Sequence, residues 1–215
     1  MKYAFYPGCA MYSSAKEYLK SFKAISRYFD LELEEVKDWT CCAPTAAHGV
    51  STLLSIAIPC ANLAEVEKEG NTSVVVPCAA CFSRFKNASF EFANDKELQE
   101  KVKDCISYDF KNSVKVIHPL EIYHEIKPHL IVKDLSRIKV VCYYGCLLTR
   151  PPKVMQFDVC ENPQTMDNIL SKLGLNVIDW SYKTDCCGAT LNLSQKDIFV
   201  RLTGKILKEA EEAGA

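Results

Sequence analysis

The stretch SVVVPCAAC, residues 73–81, combines the pattern of a buried strand with a pair of cysteines. The three consecutive valines favour an extended conformation, and a short apolar run is typical of a strand that is covered on both faces. Pro77 ends the strand because proline has no backbone N–H to donate to a neighbouring strand. Cys78 and Cys81 then stand at the start of a predicted helix. The stretch therefore predicts a parallel sheet with cysteines beyond the end of one strand.

Two earlier segments have the same arrangement. A predicted strand at residues 3–7 leads into Gly8 and Cys9, and an alternating apolar and acidic strand at residues 31–36 leads into the loop that contains Cys41 and Cys42. In open α/β folds, ligands bind beyond the carboxyl ends of the parallel strands. We therefore expect the cysteines that follow these strands to meet at one edge of the sheet.

The second half of the chain repeats this order. The segment KYAFYPGC (residues 2–9) aligns with VVCYYGC (140–146), and LELEEVKDWTCCAP (31–44) aligns with LNVIDWSYKTDCCGA (175–189). A repeat longer than a hundred residues indicates duplicated domains, whereas solenoid repeats are much shorter.

We therefore predict an α/β fold of two repeated Rossmann-like units with short parallel sheets. The first domain spans residues 1–137 and the second spans residues 138–215, which end before a final CxxC pair and so look incomplete. Either the chain is a fragment, which the intact repeat favours, or it is a natural variant that lost the second site. Helices are predicted over residues 14–30, over 45–68 with Pro59 bending or splitting the helix, in two stretches within 95–137, and over 163–173 and 191–212.

The bulk composition is that of an ordinary globular protein. The chain has 215 residues, of which 48% are hydrophobic and 25% charged, and a formal net charge of -1. This balance gives no basic field for nucleic acid and no acidic tail. No apolar run approaches the length of a membrane span, and the N-terminus does not resemble a signal peptide, so we expect a cytoplasmic protein.

Cysteine is the unusual component, with 12 residues. In a chain with no export signal, adjacent and CxxC cysteines favour metal binding or redox chemistry over disulfides. Thiolates are soft ligands that suit iron–sulfur clusters, zinc or copper(I). A set of five candidate ligands exceeds the four that a tetrahedral zinc or an ordinary cubane cluster needs. These five are Cys9, Cys41, Cys42, Cys78 and Cys81.

The spacing of these five residues resembles the signature of the CCG domain, found in the catalytic subunit of heterodisulfide reductases. In this sequence, 31 residues separate Cys9 from Cys41, 35 separate Cys42 from Cys78, and two separate Cys78 from Cys81. One departure is Ala43, which follows the cysteine pair where the signature has glycine. The second copy does carry the glycine, Gly188.

The resemblance implies a noncubane [4Fe-4S] cluster bound by the five cysteines, which would act in catalysis through it. It also implies the reaction of methanogenesis in which the mixed disulfide of coenzyme M and coenzyme B is reduced to two thiols. The partners it implies are a small ferredoxin-like [4Fe-4S] subunit and a flavin-containing subunit. A second cluster would use Cys146, Cys186 and Cys187 if the chain is a fragment.

Two other functions stay open at this point. CCG-domain subunits also transfer electrons in assemblies around succinate, fumarate, lactate, glycerol-3-phosphate or sulfate-respiration oxidoreductases. A structural zinc protein is the alternative from another class. No strand is followed by a GxGxxG fingerprint, so electrons are expected to reach this chain from a partner.

Residues outside the signature receive separate expectations. His48 either faces the cluster as a proton donor or lies on the surface, and Arg150 with Lys153 either bind an anionic substrate or are solvated. Trp39 and Trp180 are expected either to pack in the core or to shield the cysteine pairs. The remaining cysteines and histidines are expected to be structural, and they are Cys60, Cys105, Cys142, Cys160, His118, His124 and His129.

Overall fold

The computed structural model describes residues 2–125 and 133–215, without the side chains of Thr45, Ala46 and His48. The chain divides into two compact units, Met1–Pro119 and Leu120–Ala215. The boundary between residues 137 and 138 that the repeat suggests stays a prediction. Within the described residues, no helix has both the length and the apolar character that crossing a membrane requires.

The first unit is built on a four-stranded sheet in which all neighbouring strands are parallel. The strand order is β2-β1-β3-β4. Both β2 and β3 pair with β1, and their ladders align the three strands so that Phe5 lies beside Glu35 and Val75. The predicted α/β class is confirmed. The four strands are β1 (Lys2–Phe5), β2 (Glu32–Glu35), β3 (Ser73–Val75) and β4 (Lys115–Ile117).

The burial of these strands follows their composition. Val74 and Val75 have no exposed surface, as expected for a central apolar strand, whereas the acidic β2 at the edge alternates between exposed and partly covered residues. Aromatic rings fill the space around the sheet, with Phe5 stacked on Phe22 and Phe92 packed on Phe110. Burying such rings supplies much of the favourable free energy of folding.

The helices of the first unit correct one prediction. The helix expected over residues 45–68 is two helices, and the break lies at Ser51 and not at Pro59. Ser51 is extended and its side chain accepts a hydrogen bond from the N–H of Leu54, which caps the second helix. The helices are α1 (Lys16–Tyr28), α2 (Thr45–Val50), α3 (Thr52–Lys68), α4 (Ala79–Asn94), α5 (Lys96–Ile106) and α6 (Pro119–Glu125), which begins at the unit boundary.

The second unit has a much smaller sheet than the repeat predicts. Its two parallel strands, β5 (Lys139–Val140) and β6 (Asn176–Val177), have two residues each. The C-terminal helix begins at Lys196 and not at residue 191, because a 3₁₀ turn at Ala189–Leu191 comes first. The helices are α7 (Cys146–Thr149), α8 (Pro152–Met155), α9 (Thr165–Lys172) and α10 (Lys196–Glu212).

A buried polar network holds the second unit together around Lys183. The Lys183 ammonium lies 2.9 Å from the buried carboxylate of Asp167 and 3.0 Å from Asp179. The hydroxyl of Tyr144 donates to Asp167 and accepts the backbone N–H of Met166. Burial by itself lowers the pKa of Lys183, but the bonds to the two carboxylates outweigh it and raise the pKa, so the lysine is charged.

The two carboxylates differ in burial, so their substitutions have different expected costs. Asp167→Asn leaves the buried Lys183 with only one carboxylate, and we expect it to lower the free energy of unfolding by about 3 kcal/mol. The exposed pair with Asp179 resembles a surface ion pair, so Asp179→Asn is expected to cost about 1 kcal/mol or less. In a Trp39→Phe background, the fluorescence of Trp180 during urea unfolding reports on this unit. Equal losses in the two variants would contradict the network.

Candidate functional site

The parallel strands bring the signature cysteines to one edge of the first sheet. Cys9 opens a 3₁₀ turn after β1, and Cys41 with Cys42 lies in the loop after β2. Cys78 is the N-cap of α4, directly after β3, and Cys81 is in the first turn of that helix. All of these cysteines are free thiols. Segments that are far apart in sequence therefore meet because three strand ends are aligned.

The sulfur atoms of the five cysteines form a connected set, which we call the first cysteine set. The Sγ atoms of Cys42 and Cys81 lie 3.1 Å apart. Cys78 is hydrogen-bonded to Cys81, and Cys9 to Cys41. Cys42 and Cys81 are buried, whereas Cys9 and Cys41 are exposed. The set therefore has a dry side and a side that faces solvent.

Local hydrogen bonds prepare part of the first cysteine set for ionisation. The hydrogen bond from Cys81 lowers the pKa of Cys78 to about 6 despite burial, and the backbone N–H groups at the start of α4 add a smaller effect in the same direction. The hydrogen bond with Cys81 also lowers the pKa of Cys42. The bonds with Cys42 and Cys78 raise the pKa of Cys81, which therefore keeps its proton. Burial raises the pKa of Cys41.

A cation that sequence analysis did not single out lies beside the first cysteine set. Arg84 attracts the Cys42 thiolate electrostatically, and its guanidinium donates to the carbonyl of Ser55 at 2.8 Å. The available signal was its position on α4, three residues after Cys81, which places both side chains on the same face of the helix. A positive charge here offsets the negative charge that clustered thiolates accumulate.

Gly8 allows the backbone to come close to the sulfurs. A Cβ atom at this position would lie 3.0 Å from the Sγ atom of Cys81, and the residue has a φ of +72°. Both facts favour glycine, which has no side chain and adopts positive φ readily. The glycine before the single cysteine is therefore explained by the space that Cys81 occupies.

Ala43, which replaces the signature glycine in the first copy, adopts the backbone conformation of that glycine. Gly188 has a φ of 71°, and Ala43, at the equivalent position, has a φ of 49°. The left-handed conformation therefore occurs in both copies, although an alanine adopts it at a cost of about 1 kcal/mol. The departure from the signature leaves the local backbone conformation unchanged.

Aromatic side chains and a carboxylate pack together in the segments that carry Cys9 and Cys41. Trp39 packs edge-on against Tyr6 and stacks on Tyr12. The carboxylate of Glu35 accepts hydrogen bonds from the Trp39 indole and the Tyr12 hydroxyl. A shielding role for Trp39 stays a prediction.

The second cysteine set consists of Cys146, Cys186 and Cys187. Cys146 begins α7 and is hydrogen-bonded to Cys186, and Cys187 is hydrogen-bonded to the Tyr143 hydroxyl. The three residues that the repeat aligns with the first motif are therefore also brought together. Their role as cluster ligands stays a prediction.

The other cysteines divide by environment. Cys60 is fully buried and burial raises its pKa to about 12. Burial and then Asp167 raise the pKa of Cys142 to about 12, so both remain protonated thiols near neutral pH. Cys105 corrects a prediction because it is exposed on α5 and does not pack as a small apolar residue. Cys160 is half-buried beside Glu161.

The charged and histidine candidates are less clearly linked to the cysteines. Arg150 forms an ion pair with Glu161 at 2.7 Å, and Lys153 is exposed on α8. His48 belongs to α2, but its side chain is outside the described part of the structure. His124 is exposed. His129 lies outside the described residues.

Trp180 and His118 make contacts that the sequence could not specify. The Trp180 indole donates to the carbonyl of Cys142 at 2.8 Å. His118 is buried at the end of β4, packs against Phe82 and donates to the carbonyl of Pro77, the residue before Cys78. Burial lowers the pKa of His118 to about 4, so the ring is neutral near pH 7.

The thiols are ligands of the kind that an iron–sulfur cluster uses. Within residues 2–125 and 133–215, no three cysteine, histidine or carboxylate side chains are arranged to hold a single metal ion. A tetrahedral zinc site requires all ligand sulfurs at about 2.3 Å from one point. In a cluster, thiolates bind several irons and are spread more widely. Five free thiols and the close approach at Gly8 suit such a group.

Comparisons with known proteins give a consistent picture of the family. The family model of the CCG cysteine-rich domain matches residues 3–86 and 140–215. The chain is 28% identical over 218 residues to the 8-methylmenaquinol:fumarate reductase membrane anchor subunit of Wolinella succinogenes, covering 100% of this chain and 76% of the relative.

Two further comparisons concern a second class of relative and the fold. The chain is 24% identical over 196 residues to one subunit of the ferredoxin/F420H2-dependent CoB-CoM heterodisulfide reductase of Methanosarcina acetivorans, covering 87% of this chain and 65% of the relative. The crystal structure of a hypothetical protein from Helicobacter pylori matches with a TM-score of 0.79 and 12% identity. That match covers 100% of this chain and 40% of the solved chain, and it shows a shared fold.

The buried His118 predicts a pH dependence of the first unit. Its pKa in the folded protein is depressed, so the unfolded protein binds the extra proton first, and stability falls as the pH drops from 6.5 toward 4. Between pH 7 and pH 5 we expect His118 to cost about 2 kcal/mol, a loss that His118→Gln removes. The measurement is urea unfolding followed by Trp39 fluorescence in a Trp180→Phe background. His124→Gln, at an exposed position, is the control, and it should retain the wild-type pH dependence.

Proposed function

The chain belongs to the CCG cysteine-rich domain family, and we propose that it is an iron–sulfur redox subunit of a reductase complex. The cluster ligands are the five thiols of the first cysteine set. The observation that carries the proposal is that these five free thiols, from three separate segments, lie together at one edge of a parallel sheet. That edge is where α/β folds bind ligands.

The side chains of the site have distinct tasks in this proposal. A noncubane [4Fe-4S] cluster supplies one-electron redox chemistry and iron that accepts a thiolate. Cys78 and Cys42, whose pKa values are lowered, offer thiolates for ligation, and Arg84 compensates their charge. Tyr6 and Trp39 keep water away from the buried side.

The exposed side of the first cysteine set is where a reactant approaches. Cys9 and Cys41 face solvent there, and Tyr12, in the same 3₁₀ turn as Cys9, has 46% of its surface exposed. A mixed disulfide of the coenzyme M–coenzyme B type takes two electrons and releases two thiols. We propose this reduction as the activity, with a ferredoxin-like [4Fe-4S] subunit and a flavin-containing subunit supplying the electrons. The second cysteine set would hold a second cluster.

A second candidate function has its own support. The fumarate reductase relative has the higher identity, and its match covers the whole of this chain. In this second function, the chain transfers electrons within a respiratory oxidoreductase and does not itself reduce a disulfide. The heterodisulfide reductase relatives, of which the chain spans 65%, support the first version.

Metal analysis of anaerobically purified protein tests the shared part of the proposal. We expect about four irons and four sulfides for each loaded site, and Cys41→Ser should abolish the iron-dependent paramagnetic signal of the first site. Cys105→Ser is the matched control because both cysteines are exposed but Cys105 is on α5, outside the set. About one zinc per chain, with no sulfide, would establish the zinc alternative and overturn the proposal.

Oxidation of the reduced protein separates the two functions. After reduction with dithionite, the mixed disulfide should reoxidise the protein and yield two thiols if the first version holds, and added thiol should change the electron paramagnetic resonance spectrum. Reoxidation by a menaquinone analogue alone, with a spectrum that does not respond to thiols, would favour the respiratory version.

A further inference from the structure

A tyrosine occupies the same place in both copies of the motif. Tyr6 stands three residues before Cys9, and Tyr143 stands three residues before Cys146. The hydroxyl of Tyr6 donates to the carbonyl of Thr40 at 2.6 Å, and the hydroxyl of Tyr143 donates to the carbonyl of Asp185 at 2.7 Å.

The two acceptors are also equivalent. Thr40 immediately precedes the Cys41–Cys42 pair, and Asp185 immediately precedes the Cys186–Cys187 pair. In each copy, one hydrogen bond therefore ties the segment before the single cysteine to the residue before the cysteine pair. The bond spans 34 positions in the first copy and 42 in the second.

Packing does not explain why the bond occurs twice. Tyr6 is fully buried between Trp39 and Phe85, whereas Tyr143 is half-buried and has a different setting. A ring that only filled space would need no hydroxyl, and phenylalanine would serve equally well. The hydroxyl and its carbonyl acceptor are the features that the two copies share.

The loop that receives the bond has little other regular structure. Residues 38–44 lie between β2 and α2, and Asp38 and Ala43 within them have positive φ values of 51° and 49°. Such conformations persist only where surrounding contacts hold them. The Tyr6 hydroxyl donates to the Thr40 carbonyl and Asn62 Oδ1 accepts the Thr40 N–H at 2.8 Å, and the tyrosine bond holds the carbonyl of the peptide that leads into the cysteine pair.

The same tyrosines lie beside the sulfurs. Tyr6 interacts electrostatically with four cysteines of the first set, and Tyr143 does so with all three cysteines of the second. Each tyrosine is therefore hydrogen-bonded to the backbone that carries a cysteine pair and interacts electrostatically with the thiols.

We propose that Tyr6 and Tyr143 are positioning residues that hold the cysteine pairs in their ligand-ready conformation before any metal binds. The part that concerns metal uptake rests on the proposed function, whereas the ordering of the cysteine pairs does not. The bond acts within each unit, so each tyrosine controls its own pair.

Thiol alkylation of the reduced, metal-free protein tests the ordering directly. Tyr6→Phe keeps the ring and removes only the hydroxyl, so we expect the buried Cys42 to react with iodoacetamide about ten times faster, as the loss of one hydrogen bond implies. Cys187 should be unaffected. Tyr143→Phe should raise the rate at Cys187 and leave Cys42 unchanged; because the Tyr143 hydroxyl also bonds Cys187 directly, a positioning role requires a changed rate at Cys186 as well. Tyr28→Phe, at an exposed position on α1, should change none of these rates. Peptide mass spectrometry gives each rate.

The outcomes separate this inference from the proposed function. Unchanged alkylation rates in both variants, or a general rise at every cysteine, would overturn the positioning role. If Tyr6→Phe does not fold, the half-buried Tyr143→Phe decides the question. In protein that takes up iron, the variants should also alter the paramagnetic signal and slow iron loading. If the wild-type protein binds no iron, the proposed function is contradicted, but the alkylation result still tests the positioning role.

Discussion

The alignment of three parallel strand ends is the constraint on which the site depends. Because β1 pairs with β2 on one side and with β3 on the other, the residues that follow each strand emerge at the same edge. The backbone ladder thus fixes the approximate positions of the cysteine segments without any contact between the cysteines themselves. Side-chain interactions then refine the arrangement, through Gly8, the start of α4 and the tyrosine that reaches Thr40.

The two units support the same motif by different physical means. The first has a four-stranded sheet with a large aromatic core, so apolar burial holds its loops. In the second, the strands have only two residues each, and a buried lysine paired with carboxylates contributes to holding the unit together. The carbonyl of Lys183 also accepts the N–H groups of Tyr144 and Gly145, which links the charged network to the segment that carries Cys146.

The sequence predicted the parts of the fold that depend on local pattern. The valine run and the strand-then-cysteine order were sufficient to predict β1, β2 and β3 and the grouping of the cysteines, whereas β4 lies in a stretch for which only helices were predicted. The break at Ser51 was missed because Pro59 is the more conspicuous helix breaker in the sequence. In the structure Ser51 caps the second helix, and Pro59 lies inside it. The contacts of Lys183 with Asp167 and of His118 with Pro77 were missed because they join positions that are far apart in the sequence. Cys105 was misjudged because helical position alone does not fix which side is covered.

The uneven exposure of the first cysteine set has a consequence for damage by air. An oxidant in solution meets Cys9 and Cys41 before it reaches Cys42 and Cys81, which are buried. A sulfenic acid formed on one exposed thiol condenses readily with a neighbouring thiol, and Cys9 and Cys41 are hydrogen-bonded to each other. A disulfide between Cys9 and Cys41 is therefore the lesion that access from solvent favours. Burial protects Cys42 and Cys81 from the same oxidant.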